Sequence, residues 1–166
     1  MQDTLTQIEH WIEALNRQYA PNCQSCTQFS EPFAGFYSPE FLAEVGFVLV
    51  DEIPRPDLPA LNELGLDEFL VMEASAITFA DTYYVRHQAK ERMSLHFHEL
   101  VHVLQWRELG VRGFIERYIT ELLQYGYRDA PLEKMAYTLD THFSSGGDAL
   151  DVATCVQRQL QDSKHD

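Results

Sequence analysis

Basic residues are scarce in this chain: 12 Lys and Arg stand against 26 Asp and Glu in 166 residues, a formal net charge of −14. A surface of that sign repels phosphate backbones and anionic lipid heads, which argues against nucleic acid and membrane surfaces as partners. Long apolar runs are missing too, and no stretch approaches the ~20 residues of a membrane span. The opening Met1-Gln2-Asp3-Thr4-Leu5-Thr6-Gln7 lacks the basic and apolar regions of an export signal, so a cytoplasmic location is expected. Cysteine is sparse and odd in number: Cys23, Cys26 and Cys155 make no disulfide framework and suit a reducing compartment. Cys23-Gln24-Ser25-Cys26 has the spacing of half a structural zinc site or of a redox pair. No second Cys or His pair follows at finger-like distance and no thioredoxin-like strand and helix flank it, so two free thiols in a loop are expected.

Against these absences, 45% hydrophobic and 12% aromatic residues suffice for one core but not for two ordinary domains. Leu5, Ile8, Trp11, Ile12, Leu15 and Tyr19 recur at helical spacing, which predicts an amphipathic helix over about 5–18, with Thr4 and Gln7 as a capping box. Residues 20–37 read as an ordered loop, and Ser38-Pro39-Glu40 as a cap and first turn opening a short helix to about Val45. Gly46–Val50 reads as a strand stopped by Pro54 and Pro56. Further strands are expected at 69–72, 76–79 and 82–85, in a small antiparallel sheet or hairpin. Beyond Arg86 the pattern turns helical, over about 88–109, 112–125, 131–143 and 148–161, with Gly110 and Gly126 as stops. Early strands and late helices predict an α+β domain without the βαβ alternation of a parallel sheet.

Within the 88–109 helix lies His98-Glu99-Leu100-Val101-His102. Residues i and i+4 share a face about 5–6 Å apart at Cβ, so one ion binds both imidazoles, and zinc is the metal this pairing suits. Glu99 turns toward the open side of such an ion. Zinc lowers the pKa of its water to about 7, Glu99 takes the proton and later returns it to a leaving amine, and a polarised carbonyl is attacked in between. With only 7 histidines in the chain, this pattern arises in roughly two shuffled chains in a hundred. His98, His102 and Gln105 form one polar stripe on a helix otherwise built from Leu95, Leu100, Val101, Val103 and Leu104.

A catalytic zinc needs a third protein ligand. The metzincin continuation requires glycine at position 105 and histidine at position 108, where this chain has Gln105 and Glu108. Glu108 sits about 9 Å along the helix from His102 and is a poor ligand. The better candidate is Glu133, just inside the helix opened by Pro131, because one intervening antiparallel helix brings that first turn back to the metal. Its bland reading is a solvated acid favoured by the helix dipole.

Ile77-Thr78-Phe79 with Thr82–Arg86, His-Glu-Leu-Val-His-Val-Leu-Gln, Tyr125-Gly126-Tyr127-Arg128 and Pro-Leu-Glu-Lys-Met-Ala-Tyr together resemble a bacterial family of small gluzincin-like domains over about 77–137. The resemblance implies a strand-helix unit presenting His-Glu-x-x-His and a Glu-x-x-Ala helix supplying the third ligand, which falls on Glu133 and Ala136. Where that family often has a further glutamate this chain has Met135. The implied organisation is one zincin-like domain over 1–166: a helix, loop and strand part (1–76), a metal-binding core (77–137) and a C-terminal helical part (138–166).

Other polar residues have weaker cases. Gln105 is placed to orient a metal-bound histidine. Tyr127, Tyr137 and His142 flank Glu133 and are candidates to stabilise an oxyanion, against a plain packing role. His96 points off the ligand face and His87 lies three turns away. The function expected is a zinc-dependent peptidase acting on a peptide or protein substrate. The alternatives are a non-catalytic zinc-stabilised binding or structural protein and, less supported, a toxin-like or regulatory domain. A structural site favours four ligands with cysteine, and no cysteine is near the motif in sequence.

Overall fold

The computed structural model describes residues 2–164. Among them are eight α-helices and a four-stranded sheet, an α+β arrangement. Helix α1 (Gln2–Tyr19) turns Leu5, Ile8, Ile12 and Leu15 inward, the stripe its spacing predicts, but begins before Thr4, which therefore lies inside the helix rather than capping it. The loop after it contains a two-residue strand β1 (Gln24–Ser25) between two 3-10 turns. Ser38 caps α2 (Pro39–Glu44) by accepting from the Phe41 amide, with Pro39 at the first position as expected. Strand β2 (Gly46–Val50) follows, then the short helices α3 (Pro59–Glu63) and α4 (Asp67–Val71). Strands β3 (Ala76–Phe79) and β4 (Thr82–Arg86) form a hairpin turned at Ala80-Asp81, where Ala80 holds a left-handed φ of 60°.

Two expectations are corrected here. Residues 69–72 are not a strand: most of the run belongs to α4, because a short apolar stretch has no period that separates the two states, and Asp67 and Glu68 favour a helix start. Nor is the sheet purely antiparallel. Its order is β1-β2-β4-β3, with β2 and β4 parallel from Gly46 opposite Thr82 to Val50 opposite Arg86. The segment holding α3, α4 and β3 is the crossover between them. Near-continuous burial of β2 is the mark of a central strand covered on both faces.

Four helices complete the chain: α5 (Met93–Leu109), α6 (Val111–Tyr125), α7 (Pro131–Ser144) and α8 (Val152–Asp162). Helix α5 begins later than expected, because His87–Ala89 close a 3-10 turn and Arg92 is extended. Helix α8 also begins later, at a cap where Asp151 accepts from the Thr154 amide. A single residue, Gly110, joins α5 to α6 at φ 74° and ψ 162°, a region essentially restricted to glycine. That reversal lays α6 back along α5. Helices α6, α7, α8 and strand β3 all pack on α5, which is buried around its whole circumference from His96 to Val103. One apolar core runs from α1 through the sheet to α8. No helix among the described residues is long and apolar enough to cross a membrane.

Candidate metal centre

Because α5 is central, its polar side chains are held in the interior, where each needs a partner. His98 is 4% exposed, Glu99 4% and His102 5%. The i, i+4 spacing puts the His98 and His102 rings side by side, with their Nε2 atoms 3.1 Å apart. Glu133, 2% exposed, reaches the same point from the first turn of α7: its Oε2 lies 3.2 Å from His98 Nε2 and 3.3 Å from His102 Nε2. The chain between them crosses α6, so the antiparallel return predicted for the third ligand is what brings Glu133 in. Glu121, buried on α6, fixes that return by accepting from the Leu132 amide at 2.8 Å and so capping α7, while Arg117 holds its other oxygen at 2.8 Å.

Hydrogen bonds on the far side of each ring decide what faces the centre. The Gln105 amide nitrogen donates to the Leu132 carbonyl at 3.0 Å, which leaves Gln105 Oε1 to accept from His102 Nδ1 at 2.8 Å. His98 Nδ1 donates to Asp140 Oδ2 at 2.8 Å. With both Nδ1 atoms donating outward, both Nε2 atoms and Glu133 Oε2 converge on one spot with lone pairs, and only positive charge is stable between them. Protons answer that demand in the metal-free chain. Burial opposes charge on His98, but the Asp140 and Glu133 carboxylates overcome it and lift its pKa from 6.5 to about 10. His102 is raised as well, burial again being outweighed by Glu133. Burial of Glu133 is overcome in turn by the two imidazoles, which hold its carboxyl well below the ordinary range.

The same spot fits one divalent ion. Three ligands of a tetrahedral zinc with bonds of about 2.0–2.1 Å stand about 3.3–3.4 Å apart. The observed triangle, 3.1 to 3.3 Å on each side, is within a few tenths of that. His98, His102 and Glu133 are also the one His, Cys, Asp and Glu group among the described residues whose ligand atoms converge closely enough to hold a metal. Tyr118 on α6 donates to Glu133 Oε1 at 2.6 Å, so the carboxylate presents Oε2 alone to the centre.

Glu99 stands beside this triangle without joining it. The Thr78 hydroxyl of β3 donates to its Oε2 at 2.6 Å, and no described side chain bonds its Oε1. Burial raises its pKa, against the pull of His102, His98 and the Thr78 hydroxyl. Glu99, His102 and Glu133 open onto a cavity of about 110 Å³ whose other walls are mostly apolar side chains of α1, α3, α4, β3, α5 and α6, with Arg55, Thr78, Tyr118 and Tyr127 among them.

The remaining candidates divide. Gln105 orients His102, as read from its place on the helix. Tyr127 lines the cavity, and its hydroxyl is 3.3 Å from that of Tyr137, whose ring lies 4.5 Å from the His98 ring. His142 is a correction: nine residues beyond Glu133 on α7, it carries its ring away from the centre, where Nε2 donates to the Asp148 carbonyl at 2.7 Å and closes the turn after α7. Glu108 is exposed and His96 faces the sheet. There His96 Nε2 donates to the Lys90 carbonyl and Nδ1 accepts from the Tyr83 hydroxyl, both at 2.7 Å. Cys23, Cys26 and Cys155 are free thiols; Cys23 is exposed and Cys26 buried, and burial pushes the Cys26 pKa up to about 12. Sequence reading missed Asp140, Tyr118, Thr78 and Glu121. Asp140 carried a usable signal, since it follows Glu133 by seven residues, two turns along one helix face. Tyr118 and Thr78 reach the centre from other elements and carried none. No family model, curated protein or solved structure matches this chain, and its chemistry is read from the geometry of this centre.

Proposed function

We propose that the chain is a zinc-dependent peptidase of the gluzincin type, its α5, α6 and α7 forming a zincin-like core around His98, His102 and Glu133. The observation that carries this reading is the convergence of three buried acceptor atoms, spaced 3.1 to 3.3 Å apart, beside a fourth buried group, Glu99, that coordinates nothing. A site serving stability alone has no use for that last carboxylate, whose burial is a cost.

Zinc bound there supplies Lewis acidity, lowering the pKa of water to about 7 and polarising a carbonyl. The protein's part is to handle protons and charge. Thr78 fixes Glu99 through Oε2, which leaves Oε1 to take a proton from water as its oxygen bonds to the peptide carbonyl carbon. The same atom then delivers that proton to the amine nitrogen as the C–N bond breaks. One water is consumed, and one carboxyl and one amine are formed. Tyr127, on the cavity wall, and Tyr137, whose ring lies against that of His98, carry hydroxyls not bonded to Glu99 or Glu133 and are the candidates for charge developing on the carbonyl oxygen.

The decisive experiment pairs metal analysis with turnover. The native chain should contain about one zinc and cleave members of a mixed peptide library, and Glu99→Gln should retain the zinc while losing cleavage. Full activity in Glu99→Gln, or a carefully purified chain with no affinity for zinc, overturns the proposal.

A further inference from the structure

The cavity beside Glu99 has one charged residue on its wall that the proposed chemistry does not use. Arg55, in the crossover between β2 and α3, lines it together with Leu66, Phe69, Ile77, Phe114 and Tyr118. Its Nη1 donates to the Phe69 carbonyl at 2.5 Å, and its guanidinium carbon lies 5.6 Å over the Phe69 ring. Of the five N–H donors a guanidinium carries, the rest find no side-chain or backbone acceptor among the described residues. Carboxylates are plentiful nearby in sequence, with Asp51, Glu52, Asp57, Asp67 and Glu68 flanking the segment, yet none comes within ion-pair distance. In a chain with 26 acidic residues, a half-buried cation on the wall of a largely apolar cavity, with no carboxylate within ion-pair distance, is complementary to an anion brought from outside.

The cavity constrains the rest of that ligand. Its volume of about 110 Å³ is of the order of the ~150 Å³ apolar cavity that accepts benzene, so it takes one large apolar side chain. At its inner end are Glu99, His102 and Glu133. One ring contact and one hydrogen bond link Phe69, which lies under Arg55, to the centre: the Phe69 and Tyr118 ring centroids are 5.8 Å apart, and the Tyr118 hydroxyl donates to Glu133. A few residues of extended chain, at about 3.5 Å each, cover such a span.

From this we infer that the substrate is the carboxyl-terminal end of a peptide, with the free α-carboxylate on Arg55, a large apolar side chain in the cavity and the scissile bond toward Glu99. This rests on the peptidase reading for its last element, while the carboxylate and apolar contacts are independent of turnover. The net negative surface gives the preference a use: acidic peptides are repelled in general, and a terminal carboxylate is accepted only where Arg55 meets it.

The test uses the zinc-loaded full chain carrying Glu99→Gln, so that bound peptide is not consumed, and reads fluorescence anisotropy of labelled hexapeptides ending in Leu-Phe. The free acid should bind at least tenfold more tightly than the same peptide amidated at its C-terminus. Adding Arg55→Gln should abolish that difference, Arg55→Lys should restore part of it, and replacing the terminal Phe by Ala should weaken acid and amide alike. Equal affinity of acid and amide, or a preference that survives in Arg55→Gln with an unchanged unfolding temperature, overturns the inference. So does a result in which dodecanoate binds through Arg55 and neither peptide binds, which makes the pocket a fatty-acid site. If the native chain cleaves no peptide but the acid preference holds and depends on Arg55, the recognition stands and the peptidase reading falls. Cleavage with no acid preference gives the converse.

Discussion

Asp140 offers the sharpest way to separate a designed metal centre from two histidines that merely share a helix face. It touches no proposed zinc-binding atom; its Oδ2 accepts from the outer nitrogen of His98 at 2.8 Å, with the carboxylate side chain 15% exposed. That contact holds the ring in the tautomer whose Nε2 faces Glu133 and makes it a better donor to a cation. A hydrogen bond to a charged group contributes about 1.5–3 kcal/mol, and at about 1.4 kcal/mol per tenfold change in affinity this corresponds to roughly 10–100-fold weaker zinc binding in Asp140→Ala. Asp140→Asn can still accept the Nδ1 proton through its amide oxygen and loses only the charge, so its loss should stay near tenfold. The assay is competition for zinc against a chromogenic chelator at pH 7.5. Asp129→Ala serves as the control, since Asp129 precedes the same helix and makes only an exposed ion pair with Lys134. Zinc affinity unchanged in Asp140→Ala, or lowered equally in Asp129→Ala, would refute the assignment of Asp140 as the residue that positions His98.

Further consequences follow from the same geometry. Tyr118→Phe removes the hydroxyl from Glu133 Oε1 but keeps the ring between Phe69 and Phe114, so zinc affinity should fall roughly tenfold, while circular dichroism keeps the native helical signature. The metal-free chain should lose stability as pH rises. His98, with its pKa raised from 6.5 to about 10, contributes fully below pH 6.5, and the contribution disappears as pH climbs through 10. Thermal unfolding of the stripped chain should therefore shift downward between pH 6.5 and 10, and a flat profile would contradict the paired-imidazole account. Gly110→Ala introduces a Cβ that meets nothing within 4 Å, so its cost is backbone strain alone, about 1–3 kcal/mol, seen as a fall in melting temperature of roughly 2–4 °C per kcal/mol.

How much of this was legible in the sequence varies by residue, for physical reasons. His98, Glu99, His102 and Gln105 lie on one helix, and helical periodicity alone puts them on neighbouring faces. Glu133 was reachable because Gly110, Gly126 and Pro131 mark where helices stop and start, and two reversals return α7 to α5. The α+β class came from the switch of period after Arg86. Sheet topology did not follow: β2 pairs in parallel with β4 across a crossover whose apolar run at 69–72 has no period to distinguish strand from helix. Helix period puts Asp140 on the face of Glu133, but the tertiary structure alone decided that it meets His98, that Thr78 and Tyr118 hold Glu99 and Glu133, and that Arg55 lines the cavity with no carboxylate in ion-pair range. Those pairings join residues 15 to 42 positions apart on different elements. Local sequence sets which face of its own element a side chain occupies, and only packing sets which element that face meets.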